Sequence, residues 1–433
     1  MLKALINVRI YDYENYIENG YIIFDDIVRE VGPMSRYKNN FYHVINGKGQ
    51  LVIPTFVCAH AHIYSIFARG LSLPFNPKNF MEVLTQMWWK LDKELDNDLT
   101  YYSGIAAGYE FLLNGVTTVI DHHASGTEII GSLASLRKAL VGKLKMRGIF
   151  CFESSDRYDI NDCVKENVSF ATKYKDSFSS GLFGMHASMT LSNNSLKLIA
   201  EKQKNIPIHI HVAESDMDVQ NCTKNYKTTI IERLDKYKLI KPDSLLVHCV
   251  FTTPEELKII KKNGGYVVVN PTSNLNNAVG ITDLKAITKS GVKVMIGNDG
   301  LSSSMATEYL NAYYLGHLKT KSPIGMSLGN IVDCINNAYE DAGRRLGVEM
   351  GKFRTGYVAD FMTVEYTPFT EVNKNNIFGH IFFGLLPNFK PKNVFVNGKQ
   401  LVKNYELKSS SAYKELIKAR ERSNELWRRL NAK

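Results

Sequence analysis

Short apolar runs alternate with longer helix-like stretches through the middle of the chain. The apolar runs lie at residues 51–58, 116–121, 146–152, 181–186, 206–212, 244–251, 265–270 and 293–297. Several are continuously apolar, as in Val267-Val268-Val269, which is typical of strands buried on both faces. The stretches between them have the spacing of amphipathic helices. Strands that alternate with helices form parallel βαβ units, so the pattern predicts an α/β fold, a (β/α)8 TIM barrel over residues 54–354.

The two ends of the chain have a different pattern, in which short strands are joined by turns rather than by helices. Residues 20–25 (GYIIFD) and 394–399 (VFVNGK) are examples. We expect residues 1–53 and 355–407 to form one small, discontinuous β-sandwich domain built from both termini. Residues 408–433 place apolar side chains at helical spacing among many lysines and arginines, which predicts an amphipathic C-terminal helix with a solvated basic face.

Composition narrows the functional classes. The 433 residues are 44% hydrophobic and 22% charged, as is ordinary for a large globular protein. The net charge of +10 is spread along the chain, so we expect no nucleic-acid partner. No apolar run approaches the roughly 18 to 20 residues that span a bilayer, and the first residues lack the features of a signal peptide. We therefore expect no membrane association and a cytoplasmic location. The six cysteines contain no CxxC pair and are expected to be reduced, buried thiols.

Potential metal ligands lie at the ends of several predicted strands. The first run ends in His60-Ala61-His62, and residues two apart on a strand share one face, so both imidazoles point the same way. Later runs end in or are followed by His186, His211, Glu214, His248 and Asp299. Because the carboxyl ends of the strands carry the active site of a parallel barrel, these side chains are expected to converge. Imidazole and carboxylate groups together are typical of a divalent metal site.

The segments that contain these residues resemble the metal-dependent amidohydrolase superfamily, and the resemblance covers nearly the whole chain. The matching segments are residues 54–62 (PTFVCAHAH), 209–214 (HIHVAE), 247–248 (VH), 270–274 (NPTSN), 297–300 (GNDG) and 351–361 (GKFRTGYVADF). Within the superfamily the chain is most similar to the aminohydrolases that deaminate triazines, guanine and cytosine, and among these to the SsnA type, which is linked to purine use. The segments that carry this closer similarity are residues 88–92 (WWKLD), 119–125 (VIDHHAS), 151–157 (CFESSDR) and 273–280 (SNLNNAVG).

Two positions depart from the pattern of the superfamily. Asn298 precedes Asp299 where Thr or Ser is common, but the carboxylate is retained. Ala187-Ser188 stands in place of a frequent Ala-Pro, which concerns the shape of a substrate loop rather than the metal site.

The resemblance implies one divalent metal ion, bound by His60, His62, His211 and Asp299. Binuclear members bridge two ions with a carboxylated lysine at the end of strand 4, and residues 181–186 (GLFGMH) contain no lysine. One ion, zinc in the first place and iron as the alternative, is therefore expected to leave an open position for water. His248 is expected to orient or deprotonate this water, Asp299 to accept a proton, and Glu214 to protonate a ring nitrogen and the leaving amine.

Four further residues are candidates for substrate binding: His186, His123, Glu153 and Arg157. Each has a simpler interpretation: His122 or His123 could face away from the pocket, and Glu153 with Arg157 could form a surface ion pair. Core packing or support of a ligand is the expected role of His209, and Trp88 and Trp89 are expected to pack a helix over the barrel mouth.

The function expected from the sequence is metal-dependent hydrolysis of a carbon–nitrogen bond other than a peptide bond. The first hypothesis is deamination of an aminated purine, pyrimidine or triazine. The second is ring opening of a cyclic amide in purine or pyrimidine catabolism. The third is a metal-binding paralogue without activity, against which the retention of Glu214 and His248 argues. The expected partners are a small-molecule substrate and a second copy of the chain, since homodimers are common in the family that the sequence resembles.

Overall fold

The computed structural model describes residues 2–40 and 42–432. Its strands, in chain order, are β1 Lys3–Tyr11, β2 Tyr16–Phe24, β3 Val28–Pro33, β4 His43–Asn46, β5 Leu51–Pro54, β6 Phe56–Ala61, β7 Val116–His123, β8 Arg147–Phe152, β9 Ser179–Gly181, β10 Phe183–Ala187, β11 Ile208–Val212, β12 Leu245–His248, β13 Tyr266–Val269, β14 Val294–Ile296, β15 Phe361–Val364, β16 Asn393–Val396, β17 Lys399–Lys403 and β18 Glu406–Leu407.

Helices follow most of the central strands. The α-helices are Phe80–Val83, Trp89–Lys93, Asn97–Leu113, Ser132–Arg137, Ile160–Lys173, Asn193–Lys202, Asp216–Tyr226, Ile230–Lys236, Pro254–Lys262, Pro271–Asn276, Leu284–Ser290, Met305–Thr320, Leu328–Leu346, Ile377–Gly379 and Ser410–Asn431. Leu84–Trp88, Lys138–Lys143 and His380–Leu385 are π-helical, and Met34–Arg36, Ile63–Ala68, Ser188–Thr190 and Leu386–Asn388 are short 3₁₀ turns.

The central strands form a closed parallel barrel. One parallel ladder joins β6, β7, β8 and β9, and a second runs from β10 to β14 in order. Leu182 alone separates β9 from β10, and the two segments together form the fourth barrel strand. Single bridges between Ala61 and Asp299 and between Ser154 and Met185 join the two ladders at both edges. Within the described residues, eight parallel strands thus enclose one interior, and the prediction of a TIM barrel is confirmed.

The first predicted strand, residues 51–58, is wrong as a single element. Leu51–Pro54 pairs with β1 and β15 in the terminal sheet, whereas Phe56–Ala61 pairs with β7 in the barrel. Thr55 separates them, and its Oγ1 lies 2.6 Å from Oγ1 of Thr117 on β7. All the residues from 51 to 61 are buried. Because the apolar pattern is continuous across the junction, it contains no sign of the change of sheet.

The second domain is a sheet formed by both ends of the chain. Among the described residues, nine strands run in the order β18-β17-β16-β15-β5-β1-β2-β3, with β4 also paired to β1. Its apolar core joins Phe24 from the first segment to Phe361 and Phe395 from the last, with ring centroids 5.0 and 5.8 Å from Phe24. The predicted sandwich built from both termini is confirmed as part of the fold class. The domain limits drawn from the sequence stay a prediction.

The C-terminal helix, Ser410–Asn431, packs its apolar face against the barrel. Leu426 and Leu430 are buried in a cluster that contains Tyr64 and Phe67. The indole Nε1 of Trp427 donates to the backbone oxygen of Phe67 at 2.6 Å. This helix is therefore attached to the segment that directly follows His62. Within residues 2–40 and 42–432, no helix combines the length and the apolar character that a membrane crossing requires.

Candidate active site

Two of the predicted ligands, His62 and His211, are oriented by the backbone of neighbouring strands. His62 Nδ1 donates to the backbone oxygen of His122 at 2.7 Å, and His211 Nδ1 donates to that of His186 at 2.9 Å. Each ring therefore directs its Nε2 into the centre of the barrel mouth, and the two Nε2 atoms are 3.2 Å apart. Two nitrogen lone pairs at this separation need a proton or a cation between them, so the arrangement fits a metal ion.

The other two predicted ligands complete the cluster. His60 Nε2 and His62 Nε2 each lie 3.1 Å from Asp299 Oδ1. On its other side the ring of His60 lies with Nδ1 2.8 Å from Nε2 of His209, so His209 supports His60 from deeper in the barrel. The donor atoms of His60, His62, His211 and Asp299 all lie within 4.8 Å of one another. The structure thus brings together the complete ligand set proposed from the sequence.

The electrostatics of the cluster suit the displacement of protons by a metal. Burial lowers the pKa of His60 to about 3, so its imidazole is neutral, as a ligand must be. Burial is the largest single influence on His62 and lowers its pKa, but the hydrogen bond to Asp299 and the charges of the nearby carboxylates together exceed it and raise this pKa to about 9. In the absence of a metal, His62 therefore keeps a proton near neutral pH. A divalent ion would displace that proton.

Several strand ends at the site have a strained backbone. Ala213, His248 and Asp299 have φ values of 47°, 69° and 66°, in the left-handed region that residues other than glycine rarely adopt. Such strain persists only where the surrounding structure enforces it, and it is concentrated at functional sites. Here backbone N–H groups of Asn298 and Asp299 both donate to the oxygen of His60, at 2.8 and 3.0 Å. These contacts hold the turn that carries Asp299 against the first barrel strand.

The three residues predicted to be catalytic, Glu214, His248 and Asp299, also meet. His248 Nε2 is 3.6 Å from Glu214 Oε2 and 3.9 Å from Asp299 Oδ2. Burial raises the pKa of Glu214 to about 6, although nearby His248 acts in the opposite direction. A carboxyl group with a pKa near the working pH can both give and take a proton, which is the requirement for a proton shuttle.

A cavity that opens to solvent lies directly above these groups. Its floor includes His62, His211, Glu214 and Asp299, and its apolar wall is formed by Tyr64, Phe80, Leu84, Trp88, Trp89 and Leu301. Both tryptophans therefore contact the cavity as well as packing the segment over the barrel mouth. Among the described residues that line this cavity there is no lysine.

Of the four predicted substrate residues, two line the cavity and two do not. His186 and Glu153 are part of its wall. His123 is absent from the lining: its Nε2 lies 3.4 Å from Thr100 Oγ1, outside the barrel. Neighbouring residues on a strand point to opposite faces, and it is His122 that faces the interior, where Nε2 donates to the oxygens of Met185 and His209.

Arg157 is a supporting residue of the wall rather than part of its surface. Its guanidinium lies 3.0 Å from Asp92 and 2.8 Å from Glu153, and stacks on Trp89 with the centroid 4.7 Å away. Asp92 was missed by the sequence reasoning, although it belongs to the distinctive WWKLD segment. It lines the cavity, and burial raises its pKa to about 7 against the effect of Arg157.

Comparison with known proteins identifies the family of this chain. The family model described as "Amidohydrolase family" matches residues 51–401. The chain belongs to the amidohydrolase family. This amidohydrolase is 26% identical over 407 residues to a 5-methylthioadenosine/S-adenosylhomocysteine deaminase of Thermococcus sibiricus, covering 88% of this chain and 92% of the relative. It is 24% identical over 421 residues to a 5'-deoxyadenosine deaminase of Methanococcus vannielii, covering 92% and 96%.

Solved structures show the same fold. An adenosine deaminase from Xanthomonas campestris, with bound zinc, superposes with a TM-score of 0.83 at 19% identity, over 100% of this chain and 98% of that one. Together the matches confirm the prediction of a hydrolase that acts on carbon–nitrogen bonds other than peptide bonds, and the relatives named above are deaminases. The similarity to SsnA-type enzymes stays a prediction.

Proposed function

We propose that this amidohydrolase deaminates a heterocycle that carries an amino group on a ring carbon next to a ring nitrogen. The observation that carries the proposal is the convergence of His248 with Glu214 and Asp299, which line the floor of the cavity beside the histidine–carboxylate cluster. A proton shuttle, a base and a metal site are the groups that hydrolytic removal of an amine requires. A site for metal storage requires neither Glu214 nor His248.

His60, His62, His211 and Asp299 are proposed to hold one divalent ion, with zinc as the first candidate and iron as the second. When bound, the ion lowers the pKa of a water molecule to about 7 and so supplies a nucleophile near neutral pH. Three imidazole nitrogens and one carboxylate oxygen suit both metals. The zinc in the related adenosine deaminase fold is consistent with the first candidate.

The side chains of the chain then divide the proton transfers. His248 accepts a hydrogen bond from the attacking water and orients it toward the ring carbon. Glu214 gives a proton to the adjacent ring nitrogen as the water attacks, which makes that carbon more electrophilic. His248 Nε2 and Asp299 Oδ2 lie where either can take one proton from the water and return it to the ionised Glu214. Glu214 then delivers this proton to the amine, which leaves as ammonia as the carbon–nitrogen bond breaks. The hydroxyl proton of the adduct is released as the carbonyl forms and restores the protonated Glu214.

Further groups in the cavity wall indicate which chemical groups the rest of the substrate carries. Asp92 and Glu153 present carboxyl groups, and Trp89 presents an aromatic surface. Such a wall suits a planar base that carries hydrogen-bond donors, such as hydroxyl or N–H groups, on its far side. 5-Methylthioadenosine, S-adenosylhomocysteine and 5'-deoxyadenosine, which the names of the related deaminases give as substrates, combine these features. A role in purine catabolism follows from this proposal.

The test is ammonia release by zinc-loaded and iron-loaded protein across a panel of adenosine, 5'-modified adenosines, guanine, cytosine and aminotriazines. Glu214→Gln serves as the matched control, because it preserves size while it cannot shuttle a proton. Ammonia from at least one substrate, absent in the control, supports deamination. Ring opening would instead give an acid without ammonia from cyclic amides such as dihydropyrimidines and imidazolones, which are tested in parallel. No turnover of either kind by fully loaded protein would favour a paralogue without activity.

A homodimer is the assembly we propose. The helix Met305–Thr320 exposes Tyr314 and Leu318, which are 51% and 65% exposed. Phe383, whose ring lies 6.1 Å from that of Tyr313 on this helix, is 55% exposed. Adjacent exposed apolar side chains are characteristic of protein–protein contact surfaces. Light scattering that gives the mass of one chain across the micromolar range would exclude the dimer. The cytoplasmic location also stays a proposal.

A further inference from the structure

The short helix Pro271–Asn276, which follows strand β13, touches the catalytic groups. Ser273 Oγ donates to Oδ2 of Asp299. Asn274 Oδ1 lies 2.8 Å from Nδ1 of His248. Just past the helix, Asn277 Nδ2 lies 3.3 Å from Ser273 Oγ. Of these contacts, the one at His248 has chemical consequences, because an imidazole ring changes its function according to which nitrogen carries the proton.

Hydrogen-bond polarity around Asn274 can be assigned from a fixed starting point. Thr282 Oγ1 lies 2.9 Å from the backbone oxygen of His248. A carbonyl oxygen can only accept, so the hydroxyl of Thr282 must donate its single proton there. The same hydroxyl lies 3.3 Å from the side-chain amide of Asn274, and it has only lone pairs left to offer. The atom of Asn274 that faces Thr282 must therefore be the NH₂ group.

The rest of the assignment follows from this orientation. With its NH₂ group on Thr282, Asn274 presents its oxygen to His248 Nδ1, and that nitrogen must carry a proton. In the neutral ring Nε2 is then an unprotonated acceptor. On that side lie Glu214 Oε2 at 3.6 Å and Asp299 Oδ2 at 3.9 Å. His248, Asn274 and Thr282 are at most 5% exposed, so bulk water does not compete for these bonds.

We propose that Asn274 and Thr282 are positioning residues that fix the neutral His248 ring as its Nδ1–H tautomer. The inference rests on the proposed function, in which His248 accepts a hydrogen bond from the attacking water. The bonds form a closed ring: His248 donates to Asn274, Asn274 donates to Thr282, and Thr282 donates back to the backbone of His248. The backbone of His248 thus holds Thr282, and through it Asn274, in the orientation that fixes the tautomer of the His248 ring.

Removal of the Thr282 hydroxyl breaks the ring without changing any catalytic side chain. In Thr282→Val the amide of Asn274 is no longer held and can rotate by 180°, which places its NH₂ group on His248 Nδ1 and favours the Nε2–H tautomer. That tautomer cannot accept a proton from water. We expect kcat to fall about tenfold or more, as for partial loss of a general base, while KM stays within about twofold.

The experiment uses zinc-loaded protein labelled with ¹⁵N at histidine. The signals of His248 are identified by their disappearance in His248→Asn. Wild type should show a protonated Nδ1 and an unprotonated Nε2, Thr282→Val should show Nε2–H, and Thr282→Ser should restore both the wild-type pattern and kcat. Thr118→Val is the matched control, since the Thr118 hydroxyl is buried with no hydrogen-bond partner among the described residues.

The outcomes separate this inference from the proposed function. An Nε2–H ring in wild type overturns the inference, and so does an unchanged ring in Thr282→Val. A kcat for Thr282→Ser that is as low as that of Thr282→Val also overturns it, and so does an equally low kcat for Thr118→Val. If Thr282→Val does not retain zinc, the protonation pattern of His248 in the wild-type NMR spectrum alone decides the inference. Because the NMR readout needs no turnover, absence of ammonia release would count against the proposed function only.

Discussion

Replacement of the buried Glu308 by glutamine should make the protein more stable at neutral and alkaline pH. Glu308 lies on the helix Met305–Thr320, where its carboxyl accepts from the backbone N–H of Thr272 at 3.0 Å and from Asn298 Nδ2 at 3.4 Å. It is fully buried. Burial raises the pKa of Glu308 from an ordinary 4.5 to about 8, although the hydrogen bond from Thr272 acts in the opposite direction.

The sign and size of the effect follow from this pKa. Below pH 4.5 the carboxyl is protonated in both the folded and the unfolded chain, so it adds no pH dependence. Between pH 4.5 and 8 the unfolded chain loses the proton while the folded protein keeps it, so the free energy of unfolding falls as pH rises. The slope is about 1.4 kcal/mol per pH unit, or about 3 kcal/mol between pH 5.5 and 7.5. Above pH 8 the contribution is constant.

Glutamine imitates the protonated acid but has no proton to lose. Its NH₂ group can donate to Oδ1 of Asn298, which has no hydrogen-bond partner among the described residues, once that amide rotates. The difference between Glu308→Gln and wild type should therefore grow by about 3 kcal/mol between pH 5.5 and 7.5. The measurement is urea denaturation of fully metal-loaded protein at several pH values. The exposed Glu201→Gln is the control for loss of one carboxyl group.

Parallel curves for Glu308→Gln and wild type would refute the reasoning. They would mean that Glu308 is ionised in the folded protein at neutral pH, despite its burial. A variant that becomes less stable than wild type as pH rises would refute it as well.

Other predictions concern the metal and the catalytic groups. The chain should bind one tight divalent ion, and His62→Ala should lose it because three ligands hold it too weakly; two ions per chain by metal analysis would contradict this. Glu214→Gln should keep metal and fold but lose about 10² to 10⁴ in kcat/KM from pH 6 to 9, and near wild-type activity would exclude the shuttle. The deficit of His248→Asn should shrink as pH rises, because hydroxide then forms without a base; a constant deficit would count against that role. Cys58→Ser should keep its metal, whereas thiolate charge-transfer absorption in the cobalt-substituted wild type would identify Cys58 as a ligand.

The amino-acid pattern predicts the barrel and the floor of its site well, because both follow from strand geometry. Residues two apart on one strand share a face, and the carboxyl ends of parallel strands converge, so His60, His62, His211 and Asp299 meet as expected. The pattern does not distinguish His122 from His123, since strand β7 is buried on both faces and offers no polar side as a reference. Asp92 lies outside the strands, on the segment over the barrel mouth, where no simple periodicity applies.

The hydrogen bond from Trp427 to the backbone of Phe67 has a consequence for metal binding during synthesis and after proteolysis. The final helix shares one apolar cluster with the turn Ile63–Ala68 and with Leu91, so it supports two segments that bound the cavity, one of them next to His62. A nascent barrel therefore lacks this support until the last residues of the helix are synthesised. Proteolytic removal of the helix would take the same support away from the finished protein. We expect molecules that lack this helix to bind the metal ion more weakly and to release it before the barrel itself unfolds.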